Sequence, residues 1–429
     1  MKRVFFTARF GIIEILLSKV PVLILSLFRS LVFWSFEFVS NFGFRASSDL
    51  GATARSRACL CACFISLLLN FSPPVGASDF RAVKGPCDFV FPRDHGAHPD
   101  FQTEWWYYTG NLTASSGKRY GFQLTFFRVQ IAEPGSEKTW PTNPSAWRTK
   151  DLFLAHTALS DLESKRFYFD ERVARGGAGL ASATQDGEAT RIFIGSWSTL
   201  IESDHHRLKA PAKEFSLDLL CKAAKPLVAH GLEGYSRKGK SLESASCYYS
   251  YTRLEVQGAI TLHGIPVSVG GTAWMDHEFS SAPLEENIVG WDWFGLQFND
   301  QTELMLYLLR QKGSGNSPSS SGTFVKASGE AVPLSGSDFR VEVLKRWKSP
   351  RSGAVYPARW KIQVFPLNLE LSVVPNLSNQ ELITEKSTRV TYWEGSVTAS
   401  GAAEQGPVSG TGYVEMTGYA KPFNLTPQP

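Results

Sequence analysis

The chain is poor in the residues and spacings on which common catalytic and metal motifs depend. Its 429 residues include 6 Cys, 8 His and 4 Met, with no CxxC pair and no Cys/His zinc spacing. It has no GxSxG elbow, P-loop, GxGxxG turn after a strand or HExxH helix, so familiar hydrolase, nucleotide and zinc-protease signatures are absent. No cofactor and no metal is expected, and the cluster Asp204, His205, His206 reads as an exposed polar loop. An excess of one charge is missing too. With 44 basic and 40 acidic residues the net charge is +4, and the basic residues are scattered, so no nucleic-acid partner is expected. Long amphipathic helical periodicity is nearly absent.

Aromatic residues are plentiful. They make up 13% of the chain, with 12 Trp, 13 Tyr and 30 Phe set in short alternating segments that suit sheets, barrels and apolar sites. Strands are expected at 105–112, 119–130, 152–159, 166–169, 191–197, 215–221, 249–262, 266–274, 291–299 and 303–310. Turn signals such as Ser115-Ser116-Gly117-Lys118 separate them. The fold class is all-β, and closed antiparallel barrels let many strands coexist without open edges. Length points to two domains. The polar segment 236–246 marks the expected boundary, giving domains 78–245 and 246–429, and 313–322 reads as a Ser/Gly loop.

The amino-terminal region reads as targeting material. Arg55 and Arg57 precede an apolar run over 58–69, then Ser72, Pro73, Pro74 and the small-residue end Val75-Gly76-Ala77. Residues 1–77 are expected to be a targeting region, the signal covering about 50–77 with cleavage after Ala77 and export of the rest. Further upstream, apolar stretches at 20–28 and 31–34 are broken by Arg29; they form a weak anchor or are not made. Cys59, Cys61 and Cys63 fall within the signal, leaving Cys87, Cys221 and Cys247. Cys221 and Cys247 pair in an oxidising compartment, or the thiols stay free and buried; both readings are open.

A run of motifs carries a family resemblance. The opening segment Phe91-Pro92-Arg93-Asp94-His95-Gly96-Ala97-His98-Pro99-Asp100-Phe101-Gln102-Thr103-Glu104-Trp105-Trp106-Tyr107-Tyr108 is followed by Gly271-Thr272-Ala273-Trp274-Met275-Asp276-His277-Glu278-Phe279 and Gly290-Trp291-Asp292-Trp293-Phe294-Gly295. Then come Glu303-Leu304-Met305-Leu306-Tyr307, Tyr356-Pro357-Ala358-Arg359-Trp360, Tyr392-Trp393-Glu394-Gly395 and Gly412-Tyr413-Val414-Glu415-Met416. In this order they resemble the lipocalin-like family of AttH-type secreted hydrolases and carotenoid 1,2-hydratases. The resemblance implies two lipocalin-like β-barrels in tandem, export to the periplasm or cell envelope and an apolar ligand. It also raises an envelope ABC transporter as a partner.

Candidate site residues follow from chemistry. Asp276, His277 and Glu278 put an imidazole between two carboxylates at a strand end, where an acid neighbour orients the ring and raises its pKa. The alternative is His277 simply held in a turn by Asp276. Hydrating an isolated alkene needs a proton donor, aromatic faces for the developing cation and a positioned water. In the hydratases the resemblance points to a His with a Trp two positions later and a Tyr with an Asp two positions later. Here His277 and Tyr307 stand at the first of each pair, while Phe279 and Leu309 stand at the second. The catalytic set is therefore His277, Asp276, Glu278 and Tyr307.

The ligand-binding set is Trp105, Tyr107, Trp274, Trp291 and Trp293. By strand alternation Trp105 and Tyr107 share one face and Trp106 and Tyr108 the other, while Trp291 and Trp293 share a face with Gly295 and are expected to line a barrel lumen beside Trp274. Core packing is the alternative for these rings. Glu104 and His156 are weaker candidates for pocket polar groups. The expected function is binding of a hydrophobic lipid or isoprenoid, with carotenoid hydration weak or absent. The alternatives are acid-catalysed hydration or hydrolysis of such a molecule, and service to an envelope transporter.

Overall fold

The computed structural model describes residues 80–423, apart from Ser314; the expected targeting region 1–77 lies outside the described residues. The first strands are β1 Thr103–Ala114, β2 Arg119–Gln130, β3 Asp151–Asp161, β4 Arg166–Arg175, β5 Ala181–Asp186, β6 Ala189–Ile194, β7 Trp197–Glu202, β8 His205–Pro211, β9 Phe215–Ala223, β10 Val228–Ala229, β11 Tyr235–Arg237, β12 Ala245–Leu262 and β13 Ile265–Ser280. The second set is β14 Ile288–Phe298, β15 Glu303–Gln311, β16 Ser321–Val325, β17 Ala331–Ser335, β18 Phe339–Lys348, β19 Val355–Val364, β20 Leu369–Pro375, β21 Glu381–Ile383, β22 Thr391–Ala403 and β23 Gly406–Met416. Among the described residues helix is confined to 3-10 turns at Arg93–His95, Ser136–Thr139 and Phe365–Leu367.

Two curled antiparallel sheets result, as the all-β lipocalin-like reading expects. The first has 13 strands, in the order β4-β3-β2-β1-β13-β12-β9-β8-β7-β6-β5 with β10 and β11 also paired to β12, and the second has 10, in the order β17-β16-β15-β14-β23-β22-β20-β19-β18 with β21 also paired to β22. Each sheet wraps its own apolar core: Trp106, Tyr108, Phe122, Ile192, Trp197 and Met275 in the first, Phe294, Leu296, Trp360, Trp393 and Val397 in the second. Across the gap between the ends of the first sheet, Arg172 of β4 donates to the Ile194 carbonyl at 3.2 Å and lies over the Trp197 ring.

The expected boundary at 236–246 is displaced. That polar stretch joins β11 to β12 inside the first sheet, because β12 pairs with β11, β10 and then β9 on one side and with β13 on the other. β13 then pairs with β1, far back in the sequence, to complete the curl. The passage between sheets is instead the short link between Ser280 and Ile288. A polar loop signals a turn; only pairing shows to which sheet the flanking strands belong.

Cys247 bonds to Cys87, correcting the expected partner, and Cys221 is a free buried thiol. The reason is register: Cys221 stands opposite Val256 on β12, facing the first core, well along the strand from Cys247. The disulfide spans 160 residues and ties the segment before β1 to the mouth of the first curl. Closing so long a loop restricts the unfolded chain, so Cys87→Ser is expected to lower stability by about 2–5 kcal/mol, read as a lower urea midpoint. Thiol labelling of residues 78–429 is expected to find only Cys221, and only after unfolding.

Candidate active site between the two sheets

The outer faces of the two curls are packed against each other. Strand alternation sends Trp106 and Tyr108 into the first core and Tyr107 out of it, and sends Phe294 and Leu296 into the second core and Trp293 out. The outward rings meet: Tyr107 and Trp293 lie 5.4 Å apart, and Trp274 and Trp293 5.8 Å apart, both edge to face. Trp291 and Trp293 therefore line the space between the sheets and not a barrel lumen. A Cβ on Gly295 would fall 2.4 Å from the Trp293 ring, so glycine there lets the indole lie along its own strand. Polar ties hold the layers together. Arg253 and Lys225 of the first half both reach Glu303 of β15, at 2.6 and 2.8 Å, and His156 meets the Tyr392 hydroxyl at 2.8 Å.

Register turns this layer into facing rows. On the first sheet Ser250, Asp276, Tyr107, Thr125 and His156 stand side by side across β12, β13, β1, β2 and β3. Tyr307, Trp293, Glu415 and Glu394 do so across β15, β14, β23 and β22 of the second. Trp105 and Tyr248 flank Glu278, whose carboxylate is met by Lys238 at 2.9 Å and by the Ser246 hydroxyl. Lys238 Nζ also lies 4.1 Å from the centre of the Tyr307 ring. Glu415, Tyr307, Trp105 and Trp291 are half-buried, whereas Tyr107, Trp274 and Trp293 are enclosed.

Three carboxyl groups here, Asp276, Glu415 and Glu394, are raised above the usual carboxylate range by burial. Burial pushes Asp276 up to about 7, against hydrogen bonds donated by the Ser250 hydroxyl, by Trp274 Nε1 at 2.6 Å and by the Tyr248 hydroxyl at 3.0 Å. Burial likewise pushes Glu415 up to about 8, with the charges of Asp276 and Glu278 acting the same way. Glu394, directly opposite Glu415, is raised well above the carboxylate range by burial and then by Glu415. Facing each other in a dry layer, the two acids oppose each other's ionisation. Ser250 links Asp276 onward to His230 Nε2 at 2.7 Å, and burial holds His230 neutral, down at about 3.

His277 belongs to the opposite face. Asp276 and Glu278 point away from it, as neighbours on a strand must, so neither orients the ring. Its acid partner is Glu104, supplied by β1: Glu104 Oε1 receives His277 Nε2 at 2.8 Å and His98 Nδ1 at 2.6 Å, and Oε2 receives Arg128 Nε at 2.9 Å. Burial lowers the His277 pKa even beside Glu104, the reverse of the expected rise. His98, also contacting Asp94 Oδ1 at 3.3 Å, is raised: burial opposes its charge, but the two acids prevail. Burial opposes the Glu104 charge as well, yet His277, His98 and Arg128 hold that carboxyl below the usual range. Phe279 stacks on His98 at 3.6 Å. His98, Glu104 and His277 bring potential ligand atoms within 4.8 Å of one another. The set does not suit a metal, because the Arg128 guanidinium already occupies the carboxylate and opposes a further cation.

Of the residues singled out by sequence, Asp276, Glu278, Tyr307, Trp105, Tyr107, Trp274, Trp291 and Trp293 share the layer between sheets, and His277 does not. His277 and Phe279 lie on one face of β13 and Tyr307 across the layer beyond the other, so the loosely aligned hydratase set is split. Glu104 and His156, the weaker candidates for pocket polar groups, are buried and engaged in hydrogen bonds. The Asp204 loop is partly as expected: His205 pairs with Asp204 at the surface, but His206 turns inward to the Tyr108 hydroxyl at 2.9 Å. Glu394, Glu415, Tyr248 and Lys238 were missed. An acid between apolar neighbours, as in Trp393-Glu394-Gly395 or Val414-Glu415-Met416, was the available signal.

Comparison with known proteins agrees with this architecture. The AttH-like family model matches residues 82–419. The structure of an AttH protein from Nitrosomonas europaea is similar, with TM-score 0.70 and 33% identity over 79% of this chain and 100% of that one. Kievitone hydratase from Nectria haematococca shares the fold, with TM-score 0.59 and 17% identity over 80% of this chain and 99% of that one. Comparison with curated sequences gives no match. The two curled sheets, the ordered motifs and these likenesses together make the chain a member of the AttH-like family.

Proposed function

We propose that the protein takes up an apolar, unsaturated molecule of the isoprenoid or lipid class between its sheets and adds water across a double bond by acid catalysis. The observation that carries this reading is the pair of carboxyls, Asp276 and Glu415, set in an aromatic layer whose burial raises them to about 7 and about 8. Only a desolvated acid held beside the alkene protonates carbon effectively. As the carboxyl O–H bond breaks and a C–H bond forms, the alkene π pair is consumed and the adjacent carbon becomes cationic. The faces of Trp291, Trp293 and Tyr307 stabilise that charge. Water then forms the C–O bond and returns a proton to the carboxylate, so alkene and water become alcohol and the acid is restored.

This reading revises the expectation of weak hydration. Leu309 lacks the carboxylate of the hydratase pattern, but Asp276 and Glu415 bring acids to the layer from other strands. The name of one fold neighbour, a hydratase, accords with it. Export to an oxidising compartment such as the periplasm belongs to the same proposal, supported by the Cys87–Cys247 disulfide. The test is to incubate residues 78–429 with a lycopene-like polyene, following tryptophan quenching and a product heavier by one water. Quenching with product is expected. Quenching without product would reduce the protein to a carrier, and neither would remove the ligand from this layer.

A further inference from the structure

The scatter of basic residues along the chain has one exception. The hairpin of β18 and β19 holds seven basic residues between 340 and 361 and the single acid Glu342, in a chain whose net charge is only +4. Register gathers much of this charge on one side. Trp360 and Val373, opposite each other on β19 and β20, point into the second core, so Arg359 and Val374, next along each strand, point out. Lys345 stands directly opposite Arg359 and shares that outer face. Lys348 stands opposite Val355, while Trp347 and Tyr356 beside them turn inward. Lys345, Arg346, Lys348, Arg351 and Arg359 are exposed, and among the described residues none of them enters an ion pair. The nearby acids serve Lys361 instead: Glu342 faces it, and Glu370 meets it at 2.9 Å.

Sheet stability does not account for this arrangement. Two cations directly opposite each other on neighbouring strands repel. Lysines and bulges do guard edge strands against pairing with another chain, and β18, with register shifts on both sides of Lys345, ends the strand order of its sheet. That explains Lys345 and Lys348 but not Arg359, because β19 is paired on both sides. Apolar side chains stand among the cations: Leu344, Val355 and Val374 are 49%, 42% and 40% exposed. A soluble polyanion would meet the charges and leave these side chains in water. A bilayer with anionic headgroups satisfies both, taking the cations at its phosphates and the aliphatic groups, with the long Lys and Arg stems, at its interface. We propose that the outer face of the β18–β19 hairpin docks the protein on an anionic lipid surface. This face is independent of the chemistry between the sheets; it brings the protein to the phase in which an apolar molecule is dissolved.

The experiment is cosedimentation with vesicles of phosphatidylcholine alone or mixed in equal parts with phosphatidylglycerol. Residues 78–429 are used, because they contain every strand of both sheets and leave out the apolar run at 58–69, which could enter a bilayer by itself. Binding is expected to the mixed vesicles and not to phosphatidylcholine, and to fall away in about 1 M salt. Replacing Lys345, Lys348 and Arg359 together by Gln is expected to weaken it about a hundredfold, near fivefold for each cation lost from an anionic surface. Replacing Lys209, Lys213 and Lys222 by Gln removes the same charge from exposed positions around the β8–β9 hairpin and is expected to leave binding within about twofold. Val355→Ser with Val374→Ser is expected to weaken vesicle binding several-fold. Absence of binding to the mixed vesicles, or equal weakening by the two lysine-bearing sets, would overturn the proposal. So would serine substitutions without effect, or binding to soluble polyglutamate as tight as to vesicles, since either result makes the partner an acidic polymer and not a bilayer.

Discussion

Asp276→Asn and Glu415→Gln are each expected to lower turnover of an unsaturated apolar substrate by about 10²–10⁴, the usual contribution of a positioned acid, while tryptophan quenching by the substrate persists. The amides keep size and hydrogen-bonding shape but cannot deliver a proton to carbon. The pH profile separates this role from a structural one. Both groups are raised, to about 7 and about 8, so the active acid form is present at low pH and is lost as pH rises through those values. Stability follows the same sign. A carboxyl raised on folding contributes stability that is fully present below its unfolded pKa and lost as pH climbs through its folded pKa. Asp276→Asn is therefore expected to be at least as stable as wild type at pH 8 while turning over less substrate. A variant that loses activity only in proportion to unfolded protein, or wild-type turnover that increases above pH 8, would defeat the assignment.

Glu104→Leu is expected to destabilise the protein by about 3–5 kcal/mol, because it leaves a buried guanidinium and two imidazoles without their acid. Arg128 is 2% exposed and draws one of its five side-chain and carbonyl ties from Glu104; the rest come from Gln130, Asp151 and the His98 and Phe101 carbonyls. The Glu104 carboxyl is depressed, so its contribution is present above the unfolded pKa and disappears as pH falls. Four other buried imidazoles add acid lability: burial holds His95 at about 4 and His156, His206 and His230 at about 3, so their stabilising effect is lost as pH falls below 6.5. Thermal melts at pH 7, pH 5 and pH 3 check this, the histidine contribution falling between the first two and the Glu104 contribution only below 4.5. Glu104→Leu is expected to melt far lower than wild type at pH 7, and the gap to narrow at low pH; an unchanged melting temperature would refute the network's structural role.

Much of this molecule is legible along the chain. The strand 119–130 is read to its exact ends as Arg119–Gln130, because apolar and aromatic residues alternate between two clear turns. The faces of Trp105, Tyr107, Trp291 and Trp293 are legible too, since strand geometry sends alternate side chains to opposite sides. Where such reading stops is equally specific. The segment 236–246 has the composition of a linker and is a hairpin connection, and Cys87 has no local mark of its partner 160 residues away.

What the sequence by itself determined is the all-β class, the ordered family motifs, and the division of each strand into two faces. That division already separates His277 from Asp276 and Glu278, because the backbone of a strand imposes it without reference to any neighbour. Only the tertiary structure decided what each face meets. Pairing of β1 with β13 places Glu104 beside His277, and packing of the second sheet sets Glu394 and Glu415 opposite Tyr107 and Asp276. A carboxyl's acidity then follows from its surroundings: Glu104, among cations and imidazoles, is ionised, whereas Glu415, in a dry aromatic layer facing another acid, keeps its proton.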